Sequence, residues 1–343
     1  MKVLVSGGAG FIGSYLCEEL LLKGHEVFII DDLSTGSKEN IGHLVESSKF
    51  HPFFETIMNE SLLAELVDQC DLIFHLAAVV GVKNVIRSPV ETIQRNVKGT
   101  ELVLKFANVK KKKVFLTSTS EVYGKGNKSS FNERDDLTIG PTYIGRWSYA
   151  CSKAIDEFLA LAYWKEYKLP VIVVRLFNII GPKQTGRYGM VMPRFIDQAL
   201  QNKPITIYGD GKQTRCFLYV KDAVSAMLNL AFHEGTIGEI FNLGNPHEIS
   251  ISDLAALIVK ITGSKSTFQF IPYNQCYDSG FEDMPRRVPD IHKVQSLISF
   301  EPKTDLAEII RFIIHEKTLK TPPGFQKDSA PLLRDISREH AAL

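Results

Sequence analysis

The stretch KVLVSGGAGFIGS, residues 2–14, decides the fold of this chain. An apolar run of strand type leads directly into Gly7, Gly10 and Gly13, and a helical pattern follows. Glycines at this spacing let the backbone turn sharply, approach a pyrophosphate and pack the helix on the sheet, while the helix N-terminus favours the phosphate charge. Glycine turns are common, but here a strand precedes the loop and a helix follows it. The stretch therefore predicts a dinucleotide-binding unit.

The second predicted strand ends in two acids, Asp31 and Asp32. An acid at this distance from the glycine loop accepts hydrogen bonds from the adenosine ribose hydroxyls and repels a 2′-phosphate. We therefore expect the cofactor to be NAD rather than NADP. The competing interpretation is that the two acids only cap the following loop.

Apolar strand patterns alternate with helical patterns through the first half of the chain. Strands are predicted at Lys2–Ser6, Glu26–Ile30, Phe50–Phe54, Asp71–Leu76, Lys113–Thr119 and Val171–Phe177. Helices are predicted between them, notably at Phe11–Lys23, Val90–Ala107 and Tyr149–Tyr167. This alternation is typical of an α/β fold in which helices cover both faces of a Rossmann-type, doubly wound parallel sheet.

The rhythm changes after residue 177, where glycine and proline become frequent. We expect an NAD-binding domain at 1–177 and a smaller substrate-binding lobe at 178–320, from which a segment at about 217–245 returns to the first domain. Residues 321–343 contain Pro-Pro-Gly and mixed charges, and we expect a mobile tail there.

Composition excludes several classes of protein. The 343 residues carry 40 basic and 39 acidic side chains, for a formal net charge of +1, and the only basic run, Lys110–Lys113, is short. This balance gives no electrostatic reason to bind nucleic acid. The cysteines are scattered, without metal-ligand spacing, which argues against zinc or a disulfide framework. No signal peptide or membrane-spanning run is present, so we expect a cytoplasmic protein without membrane contact.

The pair Tyr149 and Lys153 lies in SYACSK, at the start of a long helical pattern. Residues at i and i+4 share one helix face, so the phenol and the ammonium group point the same way. An isolated pair of this kind is most simply a surface tyrosine and lysine. With the glycine loop upstream, the pair instead indicates catalysis.

With these features the chain resembles the extended short-chain dehydrogenase/reductase family, in particular its nucleotide-sugar epimerases, decarboxylases and dehydratases. The resemblance covers nearly the whole chain. Its motifs are GGAGFIG (7–13), DDLSTG (31–36), FHLAA (74–78), NVKGT (96–100), TSTSEVYG (117–124), YACSK (149–153), RLFNIIGP (175–182), ITIYGDGKQTRCFLYVKD (205–222) and RRVPDI (286–291). One departure is ETIMNE (55–60), where family members often carry an aspartate near the adenine.

The resemblance implies a set of NAD-binding residues. They are Gly7, Gly10, Phe11, Ile12, Gly13, Asp31, Asp32, Ser34, Thr35, Gly36, Leu76, Ala77, Ala78, Asn96, Thr117, Tyr149 and Lys153. It also implies that Lys153 and the nicotinamide cation lower the pKa of Tyr149, so that the phenolate takes a proton from a sugar hydroxyl. Thr119 resembles the residue that hydrogen-bonds the same hydroxyl.

The implied substrate is a nucleoside diphosphate sugar, with UDP favoured by similarity alone. Asn178 is expected near the sugar and phosphates, Tyr208 against the base, and Arg215 and Arg287 on the pyrophosphate. Arg187 either faces a sugar carboxylate or is a loop residue with no role in binding. The other substrate contacts that the resemblance implies are Thr119, Ser120 and Val191. No metal is expected.

Three reactions share an oxidation at C4 of the sugar and differ afterwards. Dehydration is disfavoured because Ser120 replaces the acid of the usual Thr-Asp-Glu. Thr-Ser-Glu, ending in the catalytic candidate Glu121, matches UDP-glucuronate decarboxylases. The stretches GRWSYACSKAIDEFLALAY and GFEDMPRRVPDI instead resemble UDP-glucose or UDP-glucuronate 4-epimerases. The sequence reading favours a 4-epimerase, with UDP-glucuronate decarboxylase as the alternative.

Two helices, Val90–Ala107 and Tyr149–Tyr167, resemble the pair through which family members dimerise. Apolar residues extend beyond one stripe in FLALAYW, as a helix buried on two sides requires. We expect a homodimer. A non-catalytic NAD-binding protein would not need Tyr149, Lys153 and Thr119 together.

Overall fold

The structure is a computed structural model that describes residues 1–81, 85, 88–186, 190–276, 282 and 284–320. The expected tail at 321–343 and the candidate sugar contact Arg187 lie outside the described residues.

Short strands and longer helices alternate along the chain. The strands are β1 (Lys2–Ser6), β2 (Glu26–Ile30), β3 (Phe50–Phe53), β4 (Leu72–His75), β5 (Lys113–Thr119), β6 (Val171–Leu176), β7 (Ile179–Ile180), β8 (Ile205–Tyr208), β9 (Thr214–Cys216), β10 (Leu218–Tyr219), β11 (Ile240–Leu243), β12 (Glu248–Ser250) and β13 (Phe268–Ile271). The helices are α1 (Phe11–Leu22), α2 (Glu60–Gln69), α3 (Pro89–Val109), α4 (Trp147–Tyr167), α5 (Val191–Leu200), α6 (Val220–Phe232), α7 (Ile251–Thr262), α8 (Tyr273–Cys276), α9 (His292–Ile298) and α10 (Leu306–Lys320).

Seven strands form a parallel sheet in the order β11-β6-β5-β4-β1-β2-β3. The chain winds outward in both directions from β1 and β4, so the carboxyl ends of these two strands flank a topological switch point. In open α/β sheets ligands bind in the crevice at this point. The predicted doubly wound α/β fold is confirmed.

The central sheet is buried on both faces. Along β1, Val3 and Val5 join one apolar cluster, whereas Leu4 joins the cluster on the opposite face. Strands covered on both sides read as continuous apolar runs, which is why the sequence showed them clearly. The six predicted strands and three predicted helices match the observed elements within two residues at each end.

The second part of the chain forms three short strand pairs and also contributes to the main sheet. The pairs are β7 with β10, β8 with β13, and β9 with β12. β11 lies beside β6 at the edge of the seven-stranded sheet, with Ile240 opposite Val173. The exact domain bounds stay a prediction.

A buried ion pair joins β6 to α4. Arg175 Nη2 lies 2.7 Å from Glu157 Oε2, and both side chains are 4% exposed. Ser118 on β5 donates a further hydrogen bond to the Glu157 carboxylate. The pair, with the Ser118 hydrogen bond, therefore holds α4 against two neighbouring strands.

We expect Arg175→Met to lower the free energy of unfolding by about 3–5 kcal/mol, because Glu157 would be left buried without its cation. Urea denaturation measures this loss. Lys98→Met is the control, since it breaks an exposed pair with Glu101 and should leave the urea midpoint nearly unchanged. Equal midpoints for the two variants would contradict the assigned importance of the pair.

Candidate active site

The glycine loop is packed so closely that it admits no side chain at one position. A Cβ atom at Gly13 would lie 2.1 Å from the Gly7 carbonyl oxygen, and Gly7 has a φ of +76°. α1 begins immediately after Gly10, with no side-chain cap and no acid in its first turn. The first-turn amide groups therefore lack a capping side chain, and the helix terminus suits a phosphate. These features fit the pyrophosphate of NAD.

A cleft of about 430 Å³ opens at the switch point. It is bounded by the glycine loop, the carboxyl ends of β2, β4 and β5, and the start of α4. Most predicted site residues line it: Gly7, Gly10, Phe11, Ile12, Gly13, Asp31, Asp32, Ser34, Thr35, Leu76, Ala77, Ala78, Asn96, Thr117, Thr119, Ser120, Glu121, Tyr149, Lys153, Asn178 and Arg287. The structure thus brings residues from distant motifs to one crevice.

Four other predicted residues do not line this cleft: Gly36, Val191, Tyr208 and Arg215. Arg215 donates to the Met284 carbonyl oxygen at 2.9 Å and also acts electrostatically on Glu121. The Arg194 guanidinium lies over the ring of Tyr208, with Cζ 3.9 Å from the ring centroid. The assignment of Arg215 to the pyrophosphate and of Tyr208 to the base stays a prediction.

The two acids after β2 behave differently. Asp31 accepts from the backbone N–H groups of Ala9 at 2.9 Å and Leu33 at 2.8 Å, so it ties the glycine loop to the end of β2. Asp32 accepts from Arg95 Nη2 at 2.8 Å. Asp31 therefore does cap a loop, as the competing interpretation held, while both acids also line the cleft. Their contact with the ribose stays a prediction.

Tyr149 and Thr119, which carry the two predicted catalytic hydroxyl groups, both line the cleft. Burial raises the pKa of the Tyr149 phenol, the Glu121 charge raises it further, and the Thr119 hydrogen bond opposes this. Lys153 Nζ instead donates to Asp156 Oδ2 at 2.8 Å. The expected lowering of this pKa by Lys153 is therefore wrong for the chain alone. The positive charge of an oxidised nicotinamide ring favours the phenolate when NAD is bound.

Glu121 is held by two arginines that line the cleft with it. Arg287 Nη2 lies 2.7 Å from Oε1, and Arg146 Nη2 lies 3.3 Å from Oε2. Burial alone would raise the pKa of this carboxyl, but the charges of Arg287, Arg146 and Arg215 lower it to about 2. Glu121 is consequently an ionised carboxylate at neutral pH.

Two residues of this site were missed by the sequence reading. Arg146 lies three residues before Tyr149, and Asp156 lies three residues after Lys153. Residues three apart are neighbours on a helix surface, so this spacing was the available signal. It gave no indication that Arg146 would meet Glu121, which comes from a different element.

Two negative findings concern the described residues only. Within them, no group of three or more His, Cys, Asp or Glu side chains could hold a metal ion. None of the helices in the described ranges is long and apolar enough to cross a bilayer. The expected cytoplasmic location stays a prediction.

The glycine loop at the switch point and the cleft above it define a dinucleotide-binding enzyme. The chain belongs to the NAD dependent epimerase/dehydratase family, whose model matches residues 3–244. It is accordingly an NAD-dependent enzyme of nucleotide-sugar chemistry, and the resemblance found in the sequence is confirmed.

Several relatives of known activity are similar over most of their length. A UDP-N-acetyl-alpha-D-glucosaminuronate decarboxylase of Bacillus cytotoxicus is 44% identical over 302 residues, covering 88% of this chain and 92% of the relative. UDP-glucuronic acid decarboxylase 1 of Danio rerio is 36% identical and covers 90% of this chain and 70% of the relative. These relatives support the decarboxylase alternative better than the epimerase reading.

Solved structures are similar as well. Pal from Bacillus thuringiensis has a TM-score of 0.85 at 33% identity, covering 93% of this chain and 100% of that chain. A UDP-glucuronic acid 4-epimerase from Bacillus cereus, in complex with UDP-glucuronic acid and NAD, has a TM-score of 0.83 at 31% identity with the same coverage. One of these solved structures is therefore a 4-epimerase, whereas the relatives compared by sequence are decarboxylases.

We expect Tyr149→Phe to lower kcat by about 10²–10⁴-fold, because the variant loses the group that exchanges a proton with the sugar hydroxyl. Binding of NAD and of the nucleotide sugar, measured by calorimetry, should change little. Tyr163→Phe, a remote substitution on the same helix, is the control. A wild-type kcat for Tyr149→Phe would exclude the phenol from the mechanism.

Proposed function

We propose that this chain is an NAD-dependent decarboxylase of a UDP-hexuronic acid. The observation that carries the proposal is the partly buried carboxylate of Glu121, the last residue of Thr-Ser-Glu, held between Arg146 and Arg287 in the cleft. The 44% identical decarboxylase supports the same reaction.

The charge at this end of the cleft suits a substrate with several negative charges. Three guanidinium groups act on one carboxylate there, since Arg287, Arg146 and Arg215 all act on Glu121. Arginine binds phosphate and carboxylate groups through two parallel hydrogen bonds. A UDP-hexuronic acid offers both a diphosphate and a C6 carboxylate, whereas a neutral UDP-hexose offers only the diphosphate.

The reaction follows from where the hydroxyl groups lie. NAD held on the glycine loop would supply the acceptor for a hydride from C4 of the sugar and the donor for its return. Tyr149, with Thr119 beside it, takes the proton of the C4 hydroxyl, and the product is a 4-keto acid whose carboxylate is β to the ketone. The C5–C6 bond then breaks, carbon dioxide leaves, and the electron pair forms a C4–C5 enolate. The two hydroxyl groups hydrogen-bond the oxygen of this enolate.

The enolate then takes a proton at C5 from water, and Tyr149 gives its proton back to the C4 oxygen as the hydride returns to C4. Glu121 is not the acid that protonates C5. Its carboxylate is already ionised at neutral pH, with a pKa of about 2, and each oxygen accepts from an arginine. Its role in the proposal is to fix the two arginines near C6. An unpaired arginine pair would hold the carboxylate more tightly than the departing carbon dioxide, which would stabilise the ground state.

The 4-epimerase remains the second candidate, favoured by the solved UDP-glucuronic acid 4-epimerase from Bacillus cereus. Both reactions need the same C4 oxidation. An epimerase must also let the keto sugar rotate, and it must keep the C6 carboxylate.

The decisive experiment incubates the protein separately with UDP-glucuronate and UDP-N-acetylglucosaminuronate and identifies products by NMR and mass spectrometry. We expect one of them to lose the mass of one carbon dioxide and yield a UDP-pentose. A product of unchanged mass with inverted C4 would establish the epimerase instead. The two substrates differ only at C2, so their relative rates identify the preferred group there.

Glu121→Gln tests the residue that carries the proposal. We expect carbon dioxide release to fall by about tenfold or more, because a neutral amide binds the arginines less strongly than a carboxylate does. Released carbon dioxide is the measured quantity. Glu101→Gln, in an exposed pair with Lys98, is the control. Undiminished release from Glu121→Gln would remove the carboxylate from the reaction.

We also propose a homodimer formed through α3 and α4. These adjoining helices expose large apolar side chains, among them Val90 at 66% and Phe158 at 70%. Size-exclusion chromatography with light scattering should show a dimer at micromolar concentration, and Phe158→Glu should shift it toward monomer. A monomeric wild-type chain would contradict this.

A further inference from the structure

Arg95 lines the cleft together with Asp32, and the reaction described above gives it no role. It lies near the start of α3, whereas Asp32 follows the end of β2. Arg95 Nη2 lies 2.8 Å from Asp32 Oδ2, and the two side chains are 31% and 28% exposed. An arginine from a distant element is thus the partner of an acid that is expected to bind the adenosine ribose.

The two acids after β2 are not equivalent in their surroundings. Asp31 is only 7% exposed, and each of its oxygens accepts from a backbone N–H. A Cβ atom at Gly36 would lie 2.9 Å from Asp31 Oδ1, so the following loop also covers this carboxylate. Asp32 Oδ1 accepts from the Ser34 backbone N–H at 3.0 Å, while Oδ2 accepts from Arg95. Asp32 is therefore the acid that is paired with a cationic side chain.

The ion pair leaves Asp32 able to bind a ribose. Burial would raise the pKa of Asp32, but hydrogen bonds from Ser34 and the charge of Arg95 hold it below its ordinary range. Asp32 is consequently ionised at neutral pH. An ionised carboxylate offers about four acceptor positions, so Asp32 accepts from Ser34 and Arg95 and can still accept from a ribose hydroxyl.

The pair brings together two groups that act oppositely on a phosphate. NADP differs from NAD by a phosphate on the 2′ oxygen of the adenosine ribose. In dinucleotide-binding folds an acid after the second strand accepts from the 2′-hydroxyl, whereas a nearby arginine accommodates a 2′-phosphate. This chain carries both groups as partners. Because their charges cancel, the pair repels a 2′-phosphate less than an isolated carboxylate would.

Arg95 has a second acidic partner on its own helix. Its Nη1 lies 3.4 Å from Glu91 Oε1, one turn earlier on α3, and the Glu91 side chain is 57% exposed. Exposed pairs of this kind are weak. If Asp32 lost its charge, Glu91 would hold the guanidinium only weakly, and the planar fork of Arg95 would suit two hydrogen bonds to a phosphate.

We propose that Arg95 is a specificity-determining residue for the cofactor, which limits the discrimination against NADP through its ion pair with Asp32 and binds a 2′-phosphate when Asp32 is neutral. The preference for NAD then arises because Asp32 and the phosphate compete for one guanidinium group. Arg95 acts on the cofactor alone, so this role is the same whether the sugar loses carbon dioxide or is epimerised.

The test is a double-mutant cycle on Asp32 and Arg95. Dissociation constants of NAD and of NADP are measured by isothermal titration calorimetry on the full-length protein freed of bound nucleotide. We expect Asp32→Asn to tighten NADP binding by about tenfold, because the guanidinium is released to the 2′-phosphate. We expect Arg95→Met to weaken NADP binding by about tenfold and NAD binding by less than about threefold. In the double variant the gain from Asp32→Asn should be lost.

Two further variants separate a direct contact from a general effect on α3. Lys98→Met removes another cation of this helix, one that pairs with the exposed Glu101, and should leave both dissociation constants unchanged. Arg95→Lys keeps the charge without the planar fork. It should therefore restore part of the NADP affinity that Arg95→Met loses.

Equal tightening of NADP by Asp32→Asn with and without Arg95 would overturn the proposal, because the acid alone would then set the choice. Equal weakening of NAD and NADP in Arg95→Met would overturn it too, since Arg95 would then only shape the cleft. NADP binding too weak to detect in the wild-type chain would contradict the limited discrimination. No sugar is present in these titrations, so failure of the proposed decarboxylation would leave their results standing.

Discussion

The contact between Gly13 and the Gly7 carbonyl sets the geometry of the whole site. A Cβ atom at residue 13 would lie only 2.1 Å from that oxygen. Because residue 13 is a glycine, the start of α1 packs directly against the backbone of the loop after β1. This closeness directs the start of α1 into the crevice between β1 and β4. Asp31 then ties the loop to the end of β2 through the Ala9 N–H. The cleft exists because these backbones meet without intervening side chains.

Two different electrostatic environments meet at Tyr149. Behind it, Lys153 is paired with Asp156, so the buried charges nearly cancel. In front of it, the charges of three arginines act on the single carboxylate of Glu121. The positive charges on this side of Tyr149 outnumber the negative one, so a negatively charged group is attracted there.

Sequence patterns predicted those features that depend on neighbours along the chain. The parallel strands were visible as apolar runs, and Tyr149 and Lys153 were placed by helical spacing. Contacts between distant elements were not predictable in this way. Glu121 and Arg287 are 166 residues apart, and no spacing rule relates them. The pKa of Tyr149 in the chain without NAD was misjudged for the same reason, since the burial of the phenol and the Glu121 charge, which raise it, depend on distant elements.

The sequence could not decide between decarboxylation and 4-epimerisation for the same reason. The Thr-Ser-Glu stretch and the stretches around Arg146 were both visible, but they favoured different reactions. The structure joins them in one ion cluster, in which Arg146 and Glu121 are partners. That the two stretches form one ion cluster could be seen only in the folded structure.

The position of β11 has a consequence for how the chain is made. β6 is complete at residue 176, yet its outer neighbour is formed by residues 240–243. During synthesis, β6 is therefore an open sheet edge until that later segment emerges, and unpaired apolar edges invite association with other chains. The dinucleotide-binding half cannot be cut out at the end of β6 without keeping this exposed edge. This half is a distinct unit in the path of the chain, but its sheet edge at β6 is paired only by residues 240–243.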